Sequence, residues 1–250
     1  MRKLLLVFVF ITISSSVFAQ QSNFSFQTPP IVSPSFSEGK SDKKFGFLYL
    51  TMEDDGSLAN TDIDMSGGGL NLAVRKALSD NFAVDFSGGV FATSGDIVTP
   101  GLKTKQDLTN VNINFNLEIQ PFKTGYANMI LFVGPTLTAV SGTVETTELI
   151  NSSYNYNGSL YGVQGGIQFG LKAGAVEVIP FMMVSSMSGD ITAGGITTTV
   201  DAFTTTSYGL EVMFFNTVSL SSILQKADSS KKNEAGIKAN LYQLSFKMNF

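Results

Sequence analysis

The stretch NVNINFNLEIQ, residues 110–120, alternates strictly between polar and apolar residues. Its apolar positions are Val111, Ile113, Phe115, Leu117 and Ile119, and its polar positions after Asn110 are Asn112, Asn114, Asn116, Glu118 and Gln120. A period of two is that of a β-strand whose two faces meet different surroundings. Because one face carries only hydrocarbon and the other only amide or acid groups, we interpret the strand as having lipid on one side and a polar lumen on the other.

The same period recurs in ten segments between Phe45 and Phe250. These segments are 45–53, 68–77, 82–93, 108–121, 128–140, 159–172, 175–186, 206–215, 218–226 and 237–250. Short connections between them alternate with longer polar ones, among which are 54–66, 94–107, 141–157 and 187–202. This rhythm is typical of a membrane-embedded meander with tight turns on one side and loops on the other, whereas a Greek-key sandwich has no reason to sort its connections by length.

The predicted fold is therefore all-β, a transmembrane up-and-down antiparallel β-barrel of about ten strands, with eight strands as the alternative. The weakest segment is 218–226, and it is retained because single-chain bacterial barrels have even strand counts. Pro135 and Pro180 fall inside strands, so β-bulges are expected there. Ile130 and Phe132 lie on the face where polar residues are expected.

The N-terminus has the three-part layout of a secretory signal peptide. Arg2 and Lys3 precede the apolar run 4–13, and small residues lead to a cleavage site after Ala19. A membrane anchor is the alternative, but the apolar run falls well short of the roughly 20 residues that a spanning helix needs. The predicted organisation is a signal peptide at 1–19, an irregular arm at 20–44 and a barrel at 45–250. The arm is a disordered leader, a tether or a segment that enters the barrel mouth.

Composition excludes several classes of function. The chain of 250 residues has a net charge of −4, and loss of Arg2 and Lys3 leaves 14 basic against 20 acidic residues, so the charge favours no nucleic-acid partner. His and Cys are both absent, which removes His-dependent nucleophilic catalysis, His metal sites and a lipidated cysteine anchor. No enzymatic activity and no cofactor are therefore expected.

The C-terminal stretch LYQLSFKMNF, residues 241–250, resembles the last strand of Gram-negative outer-membrane β-barrel proteins. LFVGPTLTAV, residues 131–140, also resembles a Gly-Pro strand of small barrels of that class. The resemblance implies an outer-membrane location, contact with outer-membrane lipid and lipopolysaccharide, and handling by periplasmic chaperones and the barrel assembly machinery. It also implies that the terminal strand is the assembly signal, carried by Tyr242, Leu244, Phe246, Met248 and Phe250. It indicates neither a subfamily nor an oligomeric state.

Charged residues on the predicted lumen face concentrate near the short-turn ends of the strands. They are Arg75, Asp85, Glu118, Lys172, Glu177, Glu211 and Lys247. One interpretation is a constriction that selects solutes, and the other is an ion-paired plug that offsets buried charge in a narrow barrel. Ten strands lie nearer the filled eight-stranded barrel than the open sixteen-stranded porin, which favours the plug.

Three functions remain from the sequence. The preferred one is a structural envelope component or small passive pore with a polar lumen. The second is adhesion or ligand binding through the outer loops 54–66, 94–107, 141–157 and 187–202. The third is an exported soluble β-domain. The acidic loop EDDGSLANTDID, residues 53–64, has no EF-hand spacing, so no metal site is predicted there.

Overall fold

The structure, a computed structural model, describes residues 35–54, 62–99, 102–146, 152–228 and 237–249. Ten strands form a closed antiparallel barrel in which each strand pairs with its neighbours in sequence and the last pairs with the first. The strands are β1 (Ser41–Asp54), β2 (Asp62–Ala77), β3 (Phe82–Thr99), β4 (Leu102–Lys123), β5 (Ala127–Thr146), β6 (Ser152–Ala173), β7 (Val176–Ala193), β8 (Ile196–Phe214), β9 (Val218–Asp228) and β10 (Ile237–Asn249). The predicted ten-stranded up-and-down barrel is confirmed, including the uncertain strand at 218–226. No helix in the described part of the chain is long and apolar enough to cross a membrane.

We call the end where β1 begins and β10 ends the base, and the opposite end the rim. The base carries the short turns 78–81, 124–126, 174–175 and 215–217, close to the predicted positions. The first turn is stabilised by the Ser79 hydroxyl, which accepts hydrogen bonds from the backbone N–H groups of Asn81 and Phe82 at 3.2 and 3.1 Å.

The expectation of long loops at the rim is wrong in most places. Strands β3 and β4 stay paired up to Thr99 and Leu102, and β7 and β8 are joined by only Gly194 and Gly195. These two glycines have φ of 57° and 84°, a left-handed backbone that suits glycine. Residues predicted as loops at 94–107, 141–157 and 187–202 therefore mostly extend the strands, while 55–61 lie outside the described residues.

The predicted bulges at Pro135 and Pro180 are also absent. Each proline points outward and keeps the strand register, and pairing is interrupted only on one side of it. The register shifts instead lie between Ile119 and Phe122, next to Pro121, and between Met187 and Gly189. The missing proline N–H thus interrupts the pairing with one neighbouring strand only. This changes the backbone less than a bulge, which would insert an extra residue.

The two faces of 110–120 separate as the alternation predicts. Val111, Phe115 and the other outward side chains of this stretch are between 37 % and 49 % exposed, whereas Asn112 to Gln120 on the inward face are 0–1 % exposed. Outward side chains of the other strands form a continuous apolar band at the same level. Members of the band include Phe47, Tyr49, Leu70, Leu72, Phe86, Val90, Leu131, Val133, Tyr161, Val163, Met182, Val184, Tyr208, Leu210, Leu220, Leu224, Tyr242 and Leu244. An apolar band that encircles a closed barrel is the surface that lipid covers.

Toward the rim this pattern inverts. On β6 the outward residues change from Val163 and Tyr161 to Ser159, Asn157 and Asn155. Beneath them an inward apolar cluster fills β5 to β8, formed by Val140, Val144, Tyr156, Leu160, Met187, Ile191, Val200 and Phe203. We call this part of β3 to β8, residues 92–99, 102–109, 140–146, 152–160, 187–193 and 196–203, the rim extension. Its apolar inside and polar outside are those of a β-structure in water.

Within the lipid band the interior contains both polar and apolar groups of side chains. On β3 to β6 a network of amides and hydroxyls includes Asn114 donating to Asn112 at 2.7 Å and Thr136 donating to Asn114 at 2.7 Å. An apolar cluster lies beside it and includes Leu48, Leu50, Phe91, Ile223 and Leu241. Buried polar side chains such as Thr205, Gln225 and Gln243 also occur on β8 to β10, so the lumen expected to be polar is a packed mixture of polar and apolar side chains.

Candidate functional site: the charged base of the barrel

The predicted lumen charges gather at the base because each lies near the base end of its strand. Arg75 lies near the end of β2 and Asp85 near the start of β3, directly opposite one another in the register. Glu118 lies near the end of β4, Glu211 near the end of β8 and Lys247 near the end of β10. All five are inward and no more than 7 % exposed.

Ion pairs neutralise most of this buried charge. The Arg75 guanidinium donates from Nη2 to Glu118 Oε1 at 3.0 Å, and its Nε lies 2.5 Å from Glu118 Oε2. Lys44 Nζ lies 2.5 Å from Glu211 Oε1, and Lys247 Nζ lies 3.3 Å from Asp42 Oδ1. Each pair links different strands, so the charges tie the base of the barrel together across its interior.

Asp42 and Lys44 are the site residues that sequence reasoning missed. Both belong to β1, which begins at Ser41, so the last four residues of the predicted arm are part of the barrel wall. The signal was present, since Asp42, Lys44 and Gly46 occupy alternate positions in phase with the inward Leu48. It was obscured because the polar segment that precedes them has no period.

Among the residues that the structure describes, Asp85 is the buried carboxylate that has no ion pair. Its Oδ1 accepts a hydrogen bond from Asn116 Nδ2 at 3.0 Å, and Asn116 in turn accepts from Gln164 Nε2 at 2.9 Å. Oδ2 of Asp85 has no hydrogen-bond partner among the described residues. Arg75 opposite Asp85 and the amide network together compensate its charge.

Lys172 and Glu177 are not brought into this buried group. They face each other across the β6–β7 register at the mouth, where Lys172 is exposed and Glu177 is half-buried. Glu177 Oε1 accepts a hydrogen bond from Asn128 Nδ2 at 3.3 Å. The predicted set therefore divides into a buried ion-paired group and two residues that line the opening.

Residues 35–40, which we call the docked arm, cross the base mouth. Phe36 is 3 % exposed, packs with Ala77, Ala83 and Ile130, and lies with its ring 5.4 Å from the Arg75 guanidinium carbon. Its N–H donates to Gln120 Oε1 at 3.1 Å and its carbonyl accepts from Gln120 Nε2 at 3.2 Å. Of the alternatives for the arm, residues 35–40 enter the mouth, while 20–34 lie outside the described residues.

Lys123 and Lys76 fasten the docked arm from the barrel side. Lys123 Nζ donates to the Phe36 carbonyl and the Ser37 hydroxyl, both at 2.6 Å, and Lys76 Nζ donates to the Gly39 carbonyl at 2.9 Å. Above the arm, Arg75, Leu50 and Leu241 are all 0 % exposed. The interior is therefore filled from the docked arm through the lipid band.

The predicted assembly residues Tyr242, Leu244, Phe246 and Met248 all point outward on β10 and are 39–50 % exposed. Phe250 lies outside the described residues. On β1, Tyr49, Phe47 and Phe45 pair with Tyr242, Leu244 and Phe246, so the outward aromatic and apolar side chains continue across the closure of the barrel. The acidic stretch 53–64 forms no group of three or more metal-ligating residues in its described part.

No protein-family model and no curated protein sequence matches the chain. Among solved structures, the outer membrane protease OmpT from Escherichia coli has a TM-score of 0.53 at 8 % identity, with 91 % of this chain and 100 % of that chain covered. OprG from Pseudomonas aeruginosa has a TM-score of 0.40 at 14 % identity, with 86 % and 98 % covered. Ail of Yersinia pestis has a TM-score of 0.40 at 11 % identity, with 84 % and 99 % covered. The likeness to OmpT shows a shared fold.

Proposed function

We propose that this chain, a ten-stranded β-barrel of the outer-membrane class, is a closed structural barrel that does not conduct solutes through its lumen. The observation that carries the proposal is the filled interior, in which Arg75, Leu50 and Leu241 are completely buried. The ion pairs at the base and the apolar packing above them favour the ion-paired plug over a charged constriction that selects solutes.

Single-channel recording in planar bilayers tests this proposal. We expect the wild-type barrel to show no steady conductance. A variant without residues 35–40 and with Leu50→Gly and Leu241→Gly is the open control, and it should conduct if the filled interior is what blocks passage. Steady wild-type conductance equal to that of the open control would overturn the proposal.

We further propose that residues 1–19 are cleaved on export and that the base faces the periplasm, with the rim outside. Support comes from the tripartite N-terminus and from the base, which carries the first and last strands and the short turns. Outer-membrane lipid and lipopolysaccharide would contact the outward band, and the barrel assembly machinery and chaperones would engage the β10 signal. N-terminal sequencing of the membrane-extracted protein should begin at Gln20, and a start at Met1 would contradict cleavage.

A second candidate function is binding at the cell surface through the rim extension. The favouring observation is that β4 and β6 each run for 22 residues, about twice the 9–11 that span a bilayer. Outward side chains there are polar, with pairs such as Lys103 to Asp96 at 2.9 Å. Replacing 188–201 by a Gly-Gly turn removes one hairpin of this surface, and unchanged attachment of cells to host or matrix components would rule out a role for that hairpin.

Catalysis and a soluble exported domain are less well supported. The chain has no His. The five acids that face the base interior, Asp42, Asp85, Glu118, Glu177 and Glu211, each contact a cation or an amide and belong to the packing just described. The outward apolar band is unsuited to water. A washed periplasmic fraction free of the protein, with recovery in outer membranes, is the expected result.

A further inference from the structure

A cavity of about 400 Å³ opens at the base beside the docked arm. Its wall combines the arm with the ends of several strands and with the turns 124–126 and 215–217. Lining side chains include Lys40, Asp42, Asn128, Lys172, Glu177 and Lys247. The volume lies at the lower end of the range for small-molecule sites, which run from roughly 300 to 1,000 Å³.

The cavity is lined by more cations than anions. Its lysines are Lys40, Lys123, Lys172 and Lys247, and its acids are Asp42 and Glu177. Asp42 pairs with Lys247, and Lys247 also donates to Asn216 at 2.9 Å. In the described part of the chain no ion pair or hydrogen bond involves the ammonium group of Lys40 or Lys172. Glu177 faces Lys172 across the β6–β7 register, so four lysines and two acids leave the lining with an excess of positive charge.

Asn128 supplies a second, independent feature. This residue is 5 % exposed and lines the cavity, and its Nδ2 donates to Glu177. Its Oδ1 is buried without a hydrogen-bond partner among the described residues. A buried acceptor without a donor is costly, so a turn of the Asn128 side chain that brings Oδ1 to a ligand hydroxyl would recover a hydrogen bond that the protein alone does not make.

We propose that this base cavity binds a small phosphate monoester that also carries a hydroxyl group. Lysine ammonium groups act as point charges suited to a tetrahedral phosphate, and the exposed Lys172 and Lys40 line the cavity, while Asn128 accepts from the hydroxyl. Such chemistry occurs in a free sugar or glycerol phosphate and in the headgroup of an anionic glycerophospholipid. The site is independent of whether the lumen conducts, because it lies below the filled interior.

The docked arm is part of the site. Ser35, Phe36, Ser37 and Lys40 form one wall, and Phe36 holds them in place through its buried ring. Loss of the Phe36 anchor should therefore weaken binding even though every lysine is retained. This dependence separates a built site from general attraction to basic side chains.

Titration calorimetry of the mature, detergent-solubilised barrel with glycerol 3-phosphate tests the proposal, with glycerol as the neutral control. We expect saturable, salt-sensitive binding of the phosphate and none of glycerol. Lys172→Gln and Asn128→Leu should each weaken binding by about fivefold to tenfold, as for loss of one hydrogen bond to a charged or buried group. Phe36→Ala should weaken it at least as much.

Lys43→Gln is the matched control, because Lys43 lies at the base on β1 but does not line the cavity. Its affinity should equal that of the wild type. No saturable binding of glycerol 3-phosphate, or equal loss in Lys43→Gln and Lys172→Gln, would overturn the proposal. Binding of glycerol 3-phosphate to the barrel in nanodiscs distinguishes the two ligand sources. Weaker binding in phosphatidylglycerol than in phosphatidylcholine nanodiscs would show that the lipid headgroup occupies the cavity. Equal binding would show that the ligand is the free ester.

Discussion

Buried charge at the base is stabilised because most of its ions pair with an ion of opposite charge on another strand. Arg75 is 0 % exposed and reaches Glu118, which lies two strands away along the barrel wall. An isolated guanidinium at that depth would lose its hydration without compensation. Each member of the pair therefore stabilises the barrel only while the other is present. A single residue of the wrong type is therefore more damaging than loss of the whole pair.

Arg75→Met is predicted to destabilise the barrel by about 3–5 kcal/mol, because Glu118 and Asp85 then remain buried without the guanidinium. The double variant Arg75→Met/Glu118→Met should recover much of the loss. Urea unfolding in lipid vesicles measures both free energies. It is followed by far-UV circular dichroism, because the chain has no Trp for fluorescence. Asp96→Ala, which breaks the half-exposed rim pair with Lys103, is the control and should cost less than about 1 kcal/mol.

At the scale of the element, the docked arm depends on one aromatic residue. Phe36→Ala removes the ring that fills the space between Ala77, Ala83 and Ile130. We expect trypsin to cleave after Lys40 at least about tenfold faster, since a buried Phe truncated to Ala typically costs several kcal/mol. Phe47→Ala, on the lipid face, should leave the cleavage rate unchanged, and equal rates in the two variants would contradict the role given to Phe36.

The strands of the rim extension are predicted to stand outside the bilayer. The chain has no Cys, so single cysteines report topology directly. Asn157→Cys on β6 should react with a membrane-impermeant maleimide in intact cells. Tyr126→Cys, 73 % exposed at the base, should react only after the outer membrane is opened. The reverse labelling pattern would show that base and rim are exchanged.

At the scale of the whole molecule, lipid and water divide the barrel into two zones with opposite patterns. Leu117 is outward in the band, whereas Asn157 is outward in the rim extension. Leu117→Arg is predicted to cost about 2–4 kcal/mol in vesicles, because a cation at mid-depth of the bilayer is poorly solvated. Asn157→Arg should be close to neutral. Reversible unfolding in vesicles of defined thickness gives both values, and equal costs would argue against the assigned band.

The sequence by itself determined the fold, the strand number and the face of each residue in 110–120. Those follow from a period of two and from hydrocarbon facing lipid, which are local properties of a strand. The rim extension was missed because its outward residues are polar, although Val144, Tyr156 and Ile191 keep the same alternation inside. A search for strands with apolar outward residues misses strands in water, whose outward residues are polar and whose inward residues are apolar.

Only the tertiary structure decided how the interior is filled and which charges meet. Strand pairing places Arg75 beside Asp85. Closure of ten strands at one diameter is needed for the contact of Arg75 with Glu118, the pairing of Lys44 with Glu211 and the burial of Phe36. Partners such as Lys44 and Glu211, which are 167 positions apart in the chain, leave no local signal. Burial across the lumen is a property of the closed cylinder, since no single strand encloses a volume.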